Sequence, residues 1–133
     1  MDKQLYASLA SRASELVESG NREQAIGILE ELVRSDLPVF DRAMMCMNIA
    51  IVYGQMGEPE KALENYTRAV DLERETDSFF IAQSQAAYLS QLGRYDESRR
   101  SYEALLSHAH LTSDSREMFL KNIETLKRMA SQP

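Results

Sequence analysis

The sequence predicts an all-α protein, an α-solenoid of three helix-turn-helix hairpins followed by a seventh, capping helix. One pattern occurs three times: Ala13-x-x-Leu16-x-x-x-Gly20-x-x-x-x-Ala25, Ala50-x-x-Tyr53-x-x-x-Gly57-x-x-x-x-Ala62 and Ala86-x-x-Leu89-x-x-x-Gly93-x-x-x-x-Ser98. The glycines of these patterns are 37 and 36 residues apart. A period of this length is typical of units that bury their apolar faces by stacking on their neighbours. Apolar residues recur at helical spacing on both sides of each glycine, which predicts two helices per unit.

The first unit illustrates how each helix is bounded. We expect its first helix over about residues 3 to 18, because Leu5, Leu9, Ala13, Leu16 and Val17 recur at helical spacing. Gly20 should end that helix in the left-handed conformation. Asn21, with Gln24 three residues later, predicts a capping box at the start of the second helix, which stops before Leu37-Pro38.

The later units follow the same plan. In Gly57-Glu58-Pro59 the glycine closes one helix and the proline opens the next, which predicts helices of about 39 to 56 and 59 to 74. Asp77 is the expected cap of the third unit, whose helices should span about 78 to 92 and 95 to 110. Thr112 and the two residues after it open the seventh helix, whose apolar stripe is Phe119, Ile123, Leu126 and Ala130.

Small residues are expected where the paired helices approach each other most closely. A larger side chain would push the two helices apart, and larger residues beside them fill the remaining space. The small set is Ala13, Ala25, Ala50, Ala62, Ala86 and Ser98, and the large set is Leu16, Leu29, Tyr53, Tyr66, Leu89 and Tyr102.

The middle unit carries a family resemblance. The segment Asn48-Ile49-Ala50-x-x-Tyr53-x-x-x-Gly57-x-Pro59-x-x-Ala62-x-x-x-Tyr66-x-x-Ala69 resembles the tetratricopeptide repeat, a helix-turn-helix unit of 34 residues. The resemblance implies one domain over 1–133, with repeats at about 6–39, 43–76 and 79–112 and a capping helix at about 114–130. It also implies that the hairpins stack into a right-handed superhelix.

In this family the first helix of each unit builds a concave wall that holds partners, so the resemblance implies a protein-protein interaction module of the adaptor or chaperone-like kind. The wall is uncharged apart from its ends, with an apolar centre and an amide rim that suit a peptide with apolar anchors. For Met44 and Met47, simple core packing is the alternative, and Asn48 could instead brace a neighbouring helix. The expected wall residues are Ala10, Ser14, Val17, Met44, Met47, Asn48, Ile51, Gln55, Phe80, Gln83, Ser84, Ala87 and Gln91.

One specific family activity does not fit this wall. The carboxylate clamp for chaperone C-termini needs lysines, an arginine and two asparagines, and only Asn48 matches. Ala10, Ser14, Phe80 and Ser84 occupy the other clamp positions, so nothing there neutralises a terminal carboxylate. We therefore do not expect this chain to bind such C-termini.

Composition excludes several other classes. The net charge of -6 at pH 7 opposes a phosphate backbone, and no basic stripe is interleaved with aromatic residues, so we expect no nucleic-acid partner. No apolar run approaches the roughly 20 residues that span a bilayer, so we expect no membrane association. Met1-Asp2-Lys3-Gln4 leads into a polar helix instead of a secretory segment, which favours a cytoplasmic location. The single cysteine, Cys46, lies in an apolar run and is expected to pack as a small hydrophobe.

No catalytic constellation is evident. His108 and His110 are two residues apart, so on the predicted helix they project to different faces, unlike the pair that a helical zinc site needs. The repeated glycines are helix stops, which leaves no phosphate-binding loop. We therefore expect a non-enzyme without cofactor or metal.

Two alternatives to the adaptor interpretation remain. One is a homodimer formed through the wall or through the exposed side of the last helix around Leu120 and Met129. The other is a resemblance to the small acidic three-repeat chaperones of bacterial secretion systems, which length and charge suit without a distinctive motif.

Overall fold

A computed structural model describes residues 2–132. Within this range the chain forms seven α-helices and no β-strand, which confirms the all-α prediction. The helices are α1 (Lys3–Glu18), α2 (Arg22–Val33), α3 (Val39–Gln55), α4 (Pro59–Glu73), α5 (Phe80–Gln91), α6 (Tyr95–Leu105) and α7 (Ser113–Ala130). They divide between two compact units, the first ending at Thr76 and the second beginning at Asp77.

The first unit contains α1 to α4, which pack in chain order: α1 on α2, α2 on α3 and α3 on α4. The predicted small residues lie at these contacts, since Ala13, Ala25, Ala50 and Ala62 are all buried. Larger core side chains surround them, namely Leu16, Leu29, Leu32, Val33, Ile49, Val52, Tyr66 and Val70. This alternation of small and large side chains lets each helix pair approach closely.

The turn between α1 and α2 has the geometry that its glycine predicts. Gly20 has a φ of 86°, a conformation that costs an L-residue with a side chain about 1 kcal/mol or more. The Gly20 amide donates to the Val17 carbonyl at 3.1 Å, and the Asn21 amide donates to the Leu16 carbonyl at 2.7 Å. These two bonds satisfy carbonyls at the end of α1 in the Schellman pattern.

The capping box at Asn21 is a wrong prediction. Asn21 precedes α2, but its side chain makes no capping bond and its Nδ2 instead donates to the Ser19 hydroxyl at 3.1 Å. The tight turn after Gly20 leaves Asn21 with a ψ of 59°, outside the extended conformation typical of a capping residue. Asp2 and Thr112, which are extended, do cap α1 and α7 with their side chains.

The second unit contains α5, α6 and α7. Its core consists of Ala86, Tyr102, Leu105, Phe119, Ile123 and Leu126. Phe119 is fully buried, and its ring lies 5.5 Å from that of Tyr102 and 6.2 Å from that of Phe79. Three of the four residues in the predicted stripe of α7 are therefore core residues, whereas Ala130 is exposed. Through this stripe α7 packs on α6 and completes the core of the second unit.

Two helix ends in this unit differ from prediction. Helix α5 begins at Phe80 after Phe79, so Asp77 is not its cap, and the Asp77 carboxylate lies 3.3 Å from Nε2 of His110. Helix α6 ends at Leu105 instead of near residue 110. The chain turns there because the His108 ring packs on Phe79, with ring centroids 4.9 Å apart. The two histidines therefore lie in a loop with rings 5.8 Å apart, and the prediction that they project to different helix faces is wrong.

Candidate functional site

A cleft of about 290 Å³ lies between α1 and α3 in the first unit. It contains six of the eight wall residues that the sequence predicts for this unit, and five further residues complete its lining. The predicted residues are Ala10, Ser14, Val17, Asn48, Ile51 and Gln55, and the others are Ala13, Glu18, Leu29, Met45 and Val52.

Apolar side chains form most of the cleft. Ala13, Leu29 and Val52 are buried beneath it and belong to the core. Ile51 is 40% exposed, which is unusual for an isoleucine, and presents its side chain to solvent within the cleft. A ligand side chain that covered Ile51 would remove this apolar surface from water, so the cleft is suited to an apolar anchor.

Asn48 places an unpaired amide beside this apolar surface. Its side chain is half-buried, and it forms no hydrogen bond within the part of the chain that the structure describes. A carboxamide offers both a donor and an acceptor, the same pair that a peptide unit presents. Since a half-buried polar group is more stable when it is hydrogen-bonded, Asn48 is suited to receive the backbone of a ligand.

A neighbouring helix orients the Gln55 amide. Nε of Arg22, in the first turn of α2, donates to Oε1 of Gln55 at 3.4 Å. Because a guanidinium group only donates, the amide oxygen of Gln55 faces Arg22 and its NH2 group is left for another acceptor. Gln55 therefore contributes a donor to the end of the cleft.

The methionines of α3 divide between core and cleft. Met47 is 6% exposed and belongs to the core, as the packing interpretation of this residue expected. Met44 is half-buried and does not line the cleft, whereas Met45 does. Residues two apart on a helix point about 200° apart, so Met45 and Met47 project to opposite sides of α3. Met45 is absent from the wall predicted from the sequence, although its spacing from Asn48 and Val52 places it on their side of the helix.

The remaining predicted residues lie on α5 in the second unit. Phe80 is 51% exposed, Gln91 is exposed, and Gln83, Ser84 and Ala87 are half-buried. Their spacing along α5 puts them on one face of the helix. The Ser84 hydroxyl donates to the Phe80 carbonyl at 3.0 Å, so Ser84 is less available to a ligand than the other four.

A second depression in the first unit is polar and internally paired. It is lined by Glu30, Tyr53, Lys61, Glu64, Asn65 and Arg68. Arg68 donates to both carboxylate oxygens of Glu30, at 2.7 and 3.0 Å, and the Lys61 ammonium lies 5.6 Å from the centre of the Tyr53 ring. Arg68 and Glu30 pair with each other and Lys61 pairs with Glu58, and no aliphatic side chain lines this depression, so it lacks the apolar surface found in the cleft.

Metal binding and membrane insertion find no structural support in residues 2–132. These residues contain no group of three or more His, Cys, Asp or Glu side chains that could hold a metal ion. None of the helices described has the combination of length and hydropathy needed to cross a membrane.

Comparison with known proteins identifies the repeat. The family model described as tetratricopeptide repeat matches residues 43–76, which contain α3 and α4. A solved structure described as "First TPR of Spaghetti (RPAP3) bound to HSP90 peptide SRMEEVD" superposes with a TM-score of 0.64 at 19% identity, covering 96% of this chain and 99% of the other. No curated protein matches significantly. The protein is thus a helical-repeat protein of the all-α class.

The family match covers one helix pair. Residues 43–76, which form α3 and α4, are similar to the tetratricopeptide repeat. At 19% identity the solved structure shows a shared fold, and the HSP90 peptide is a ligand of that protein.

Proposed function

We propose that this protein is a protein-protein interaction module that binds a peptide segment with apolar anchors, as an adaptor or chaperone. The observation that carries the proposal is the unpaired Asn48 amide beside the exposed Ile51 in the cleft between α1 and α3. An apolar pocket with a few convergent polar groups is the usual form of a binding site. The tetratricopeptide repeat match at residues 43–76 supports the same function class, because such repeats generally serve as interaction scaffolds.

The available apolar surface sets the expected affinity. Burying an anchor of the size of leucine or methionine contributes about 1.5 to 3 kcal/mol. The burial free energy of two or three such anchors is opposed by a free-energy cost of association on the order of 4 kcal/mol or more. The net gain is then at most about 5 kcal/mol, so we expect dissociation constants on the order of 0.1 mM or weaker for a single peptide.

The face of α5 provides a second set of candidate contacts. Phe80 is the most exposed large apolar residue described in the chain, and Gln83 and Gln91 place amides on the same face. We assign the same kind of contact to this face, with an apolar anchor over Phe80. The net charge of -6 opposes binding to nucleic acid, and we propose a cytoplasmic, non-enzymatic protein.

A peptide-binding experiment tests the proposal. The probes are acetylated, amidated octapeptides with two leucines three residues apart in a Gly-Ser background, labelled for fluorescence anisotropy. Ile51→Glu should weaken binding at least tenfold, because it places a charge against the apolar anchor, and Asn48→Ala should weaken it about fivefold through loss of one hydrogen bond.

Leu5→Glu is the matched control for Ile51→Glu. Leu5 is 44% exposed, similar to Ile51, and lies outside the cleft in the first turn of α1. Equal binding by the two glutamate variants would show that the cleft is not the binding site. Failure of every peptide to bind the wild-type protein would contradict the proposed function.

Exposed apolar residues on α7 favour one alternative, self-association. Met118 is 41% exposed and Leu120 is 47% exposed, and the core-facing stripe of α7 does not use either residue. Light scattering over a concentration series tests this alternative. A dimer that Leu120→Asp converts to monomer supports it, whereas a wild-type monomer at high concentration excludes it.

A further inference from the structure

We infer that the cleft between α1 and α3 selects ligands that carry a basic side chain, and that Glu18 is the residue that recognises this charge. The inference rests on the proposed peptide-binding function and adds a specificity to it. Glu18 was not among the wall residues that the sequence predicted, and it is the only charged residue among those that line the cleft.

Glu18 has no charged partner among the residues that the structure describes. Glu15, one turn earlier on the same helix, lies 3.5 Å from the Arg12 guanidinium, and these two residues line a separate depression. Glu18 forms neither an ion pair nor a hydrogen bond within residues 2–132. Its carboxylate is therefore free to pair with a ligand.

The helix ends strengthen the preference for a cation at this point. Glu18 is the last residue of α1 and Gln55 is the last residue of α3, and both line the cleft. The C-terminal end of a helix carries a partial negative charge that attracts cations. Neither α1 nor α3 has a basic residue in its last turn, so neither helix end is compensated by its own side chains.

Arg22 is the cation closest in sequence to Glu18, and its guanidinium contacts Gln55 at this end of the cleft without forming an ion pair with Glu18 in the part of the chain that the structure describes. Its Nε donates to Gln55, and the residue lines a separate depression together with Gly20, Asn21, Glu23, Gln24 and Met56. Arg22 orients the Gln55 amide and leaves the Glu18 carboxylate unpaired. The ligand class that complements this end of the cleft is thus an apolar segment with one lysine or arginine.

The same charge disfavours acidic peptides. The HSP90 peptide SRMEEVD, which the similar protein binds, has three carboxylate side chains and one arginine, and its acidic residues would meet the Glu18 carboxylate in this cleft. Like charges at short distance repel, and because Glu18 is exposed this repulsion is modest and depends on salt. This chain should therefore discriminate against acidic segments of this kind.

The test uses three matched series of the octapeptides described above. Within a series, each peptide carries one Lys, one Gln or one Glu at a single position that leucine does not occupy, and the series covers all such positions. Anisotropy titrations are run at low and high salt. At its best position, Lys should bind about fivefold more tightly than Gln, and Glu should bind most weakly, because a partly exposed ion pair and a helix end each add a modest attraction. The preference for Lys should shrink at high salt.

Variants of Glu18 test whether this residue causes the preference for Lys peptides. Glu18→Gln should abolish the difference between Lys and Gln peptides, and Glu18→Lys should reverse it in favour of Glu. Glu15→Gln, on the same helix but outside the cleft, should retain the wild-type preference. Circular dichroism verifies that each variant is folded.

The outcomes separate the two proposals. Equal binding of the Lys and Gln series to the wild-type protein overturns the charge specificity and leaves peptide binding in place. A preference that survives Glu18→Gln also overturns it. Failure of all three series to bind overturns both the specificity and the function on which it rests.

Discussion

The Ser98 hydroxyl donates a hydrogen bond of 2.7 Å to the Ala86 carbonyl and so joins α6 to α5 in the core of the second unit. Both residues are fully buried, and they occupy equivalent small positions of their hairpin. The first two hairpins have alanine where this one has Ser98. The serine therefore keeps the small volume that the helix contact needs and adds a polar link that alanine lacks.

This link predicts the cost of two substitutions. Ser98→Ala should lower the free energy of unfolding by about 1 kcal/mol through loss of the hydrogen bond. Ser98→Leu should lower it by about 3 kcal/mol, because a larger side chain separates α5 from α6. Urea unfolding followed by circular dichroism measures both. Ser101→Ala, on the same helix but half-buried, is the control, and an equal loss in that variant would contradict the assignment.

Alanine substitutions at two glycines should change the stability of the protein in opposite directions. Gly27 lies within α2 with open space around its Cβ position, so Gly27→Ala should stabilise the protein by about 0.5 to 1 kcal/mol through helix propensity. Gly57 has a φ of 73°, so Gly57→Ala should destabilise it by about 1 kcal/mol, although space is open there as well. Thermal unfolding distinguishes them, and a shift of the same sign in both would contradict the backbone argument.

The bidentate pair between Arg68 and Glu30 joins α4 to α2. Hydrogen bonding to Glu30 raises the pKa of Arg68 above its ordinary value. Arg68→Ala should cost about 1 kcal/mol, and Arg68→Lys should recover little of it, because lysine lacks the planar fork. Arg74→Ala removes an exposed pair with Asp71 and should cost less than about 0.5 kcal/mol. Equal losses in urea unfolding for Arg68→Ala and Arg74→Ala would show that the link between helices contributes nothing.

The Cys46 thiol should be unreactive in the folded protein. It is fully buried, and burial raises its pKa above the ordinary value. Because this pKa is raised in the folded state, the thiol contributes to the free energy of unfolding below the unfolded-state pKa of about 8.5, and this contribution is lost as the pH rises above that value.

Because the Cys46 thiol is buried, its labelling with a thiol-reactive disulfide reagent should be slow in buffer and complete in urea. Rapid labelling of the folded protein would contradict this burial.

Much of the fold follows from the sequence because helical spacing and turn glycines act locally. The start and end of α1 match prediction, since its apolar stripe and Gly20 define the helix without help from other elements. Errors occur where a distant residue decides the outcome. Helix α6 ends at Leu105 because the following loop packs His108 on Phe79, a contact between residues far apart in sequence.

The candidate site was predictable to the level of the helix face. The family resemblance placed Ser14, Asn48, Ile51 and Gln55 on one wall, and the structure brings all four to one cleft. The prediction named Met47 and left out Met45, because both are apolar and only the packing around α3 decides which side is buried. Nor did it reveal Glu18, since a charged residue at the end of a helix is ordinary in sequence.

The sequence by itself determined the all-α class, the three hairpin patterns and the uncharged faces of α3 and α5. These properties depend on backbone preferences and on the periodic placement of apolar side chains, which are encoded within a few turns of helix. Tertiary structure alone decided that the Asn48 side chain has no hydrogen-bond partner among residues 2–132, that Arg22 orients Gln55, and that Glu18 and Gln55 meet at one end of a cleft. Each of these depends on the position of one helix relative to another, which is set by the summed packing of many side chains.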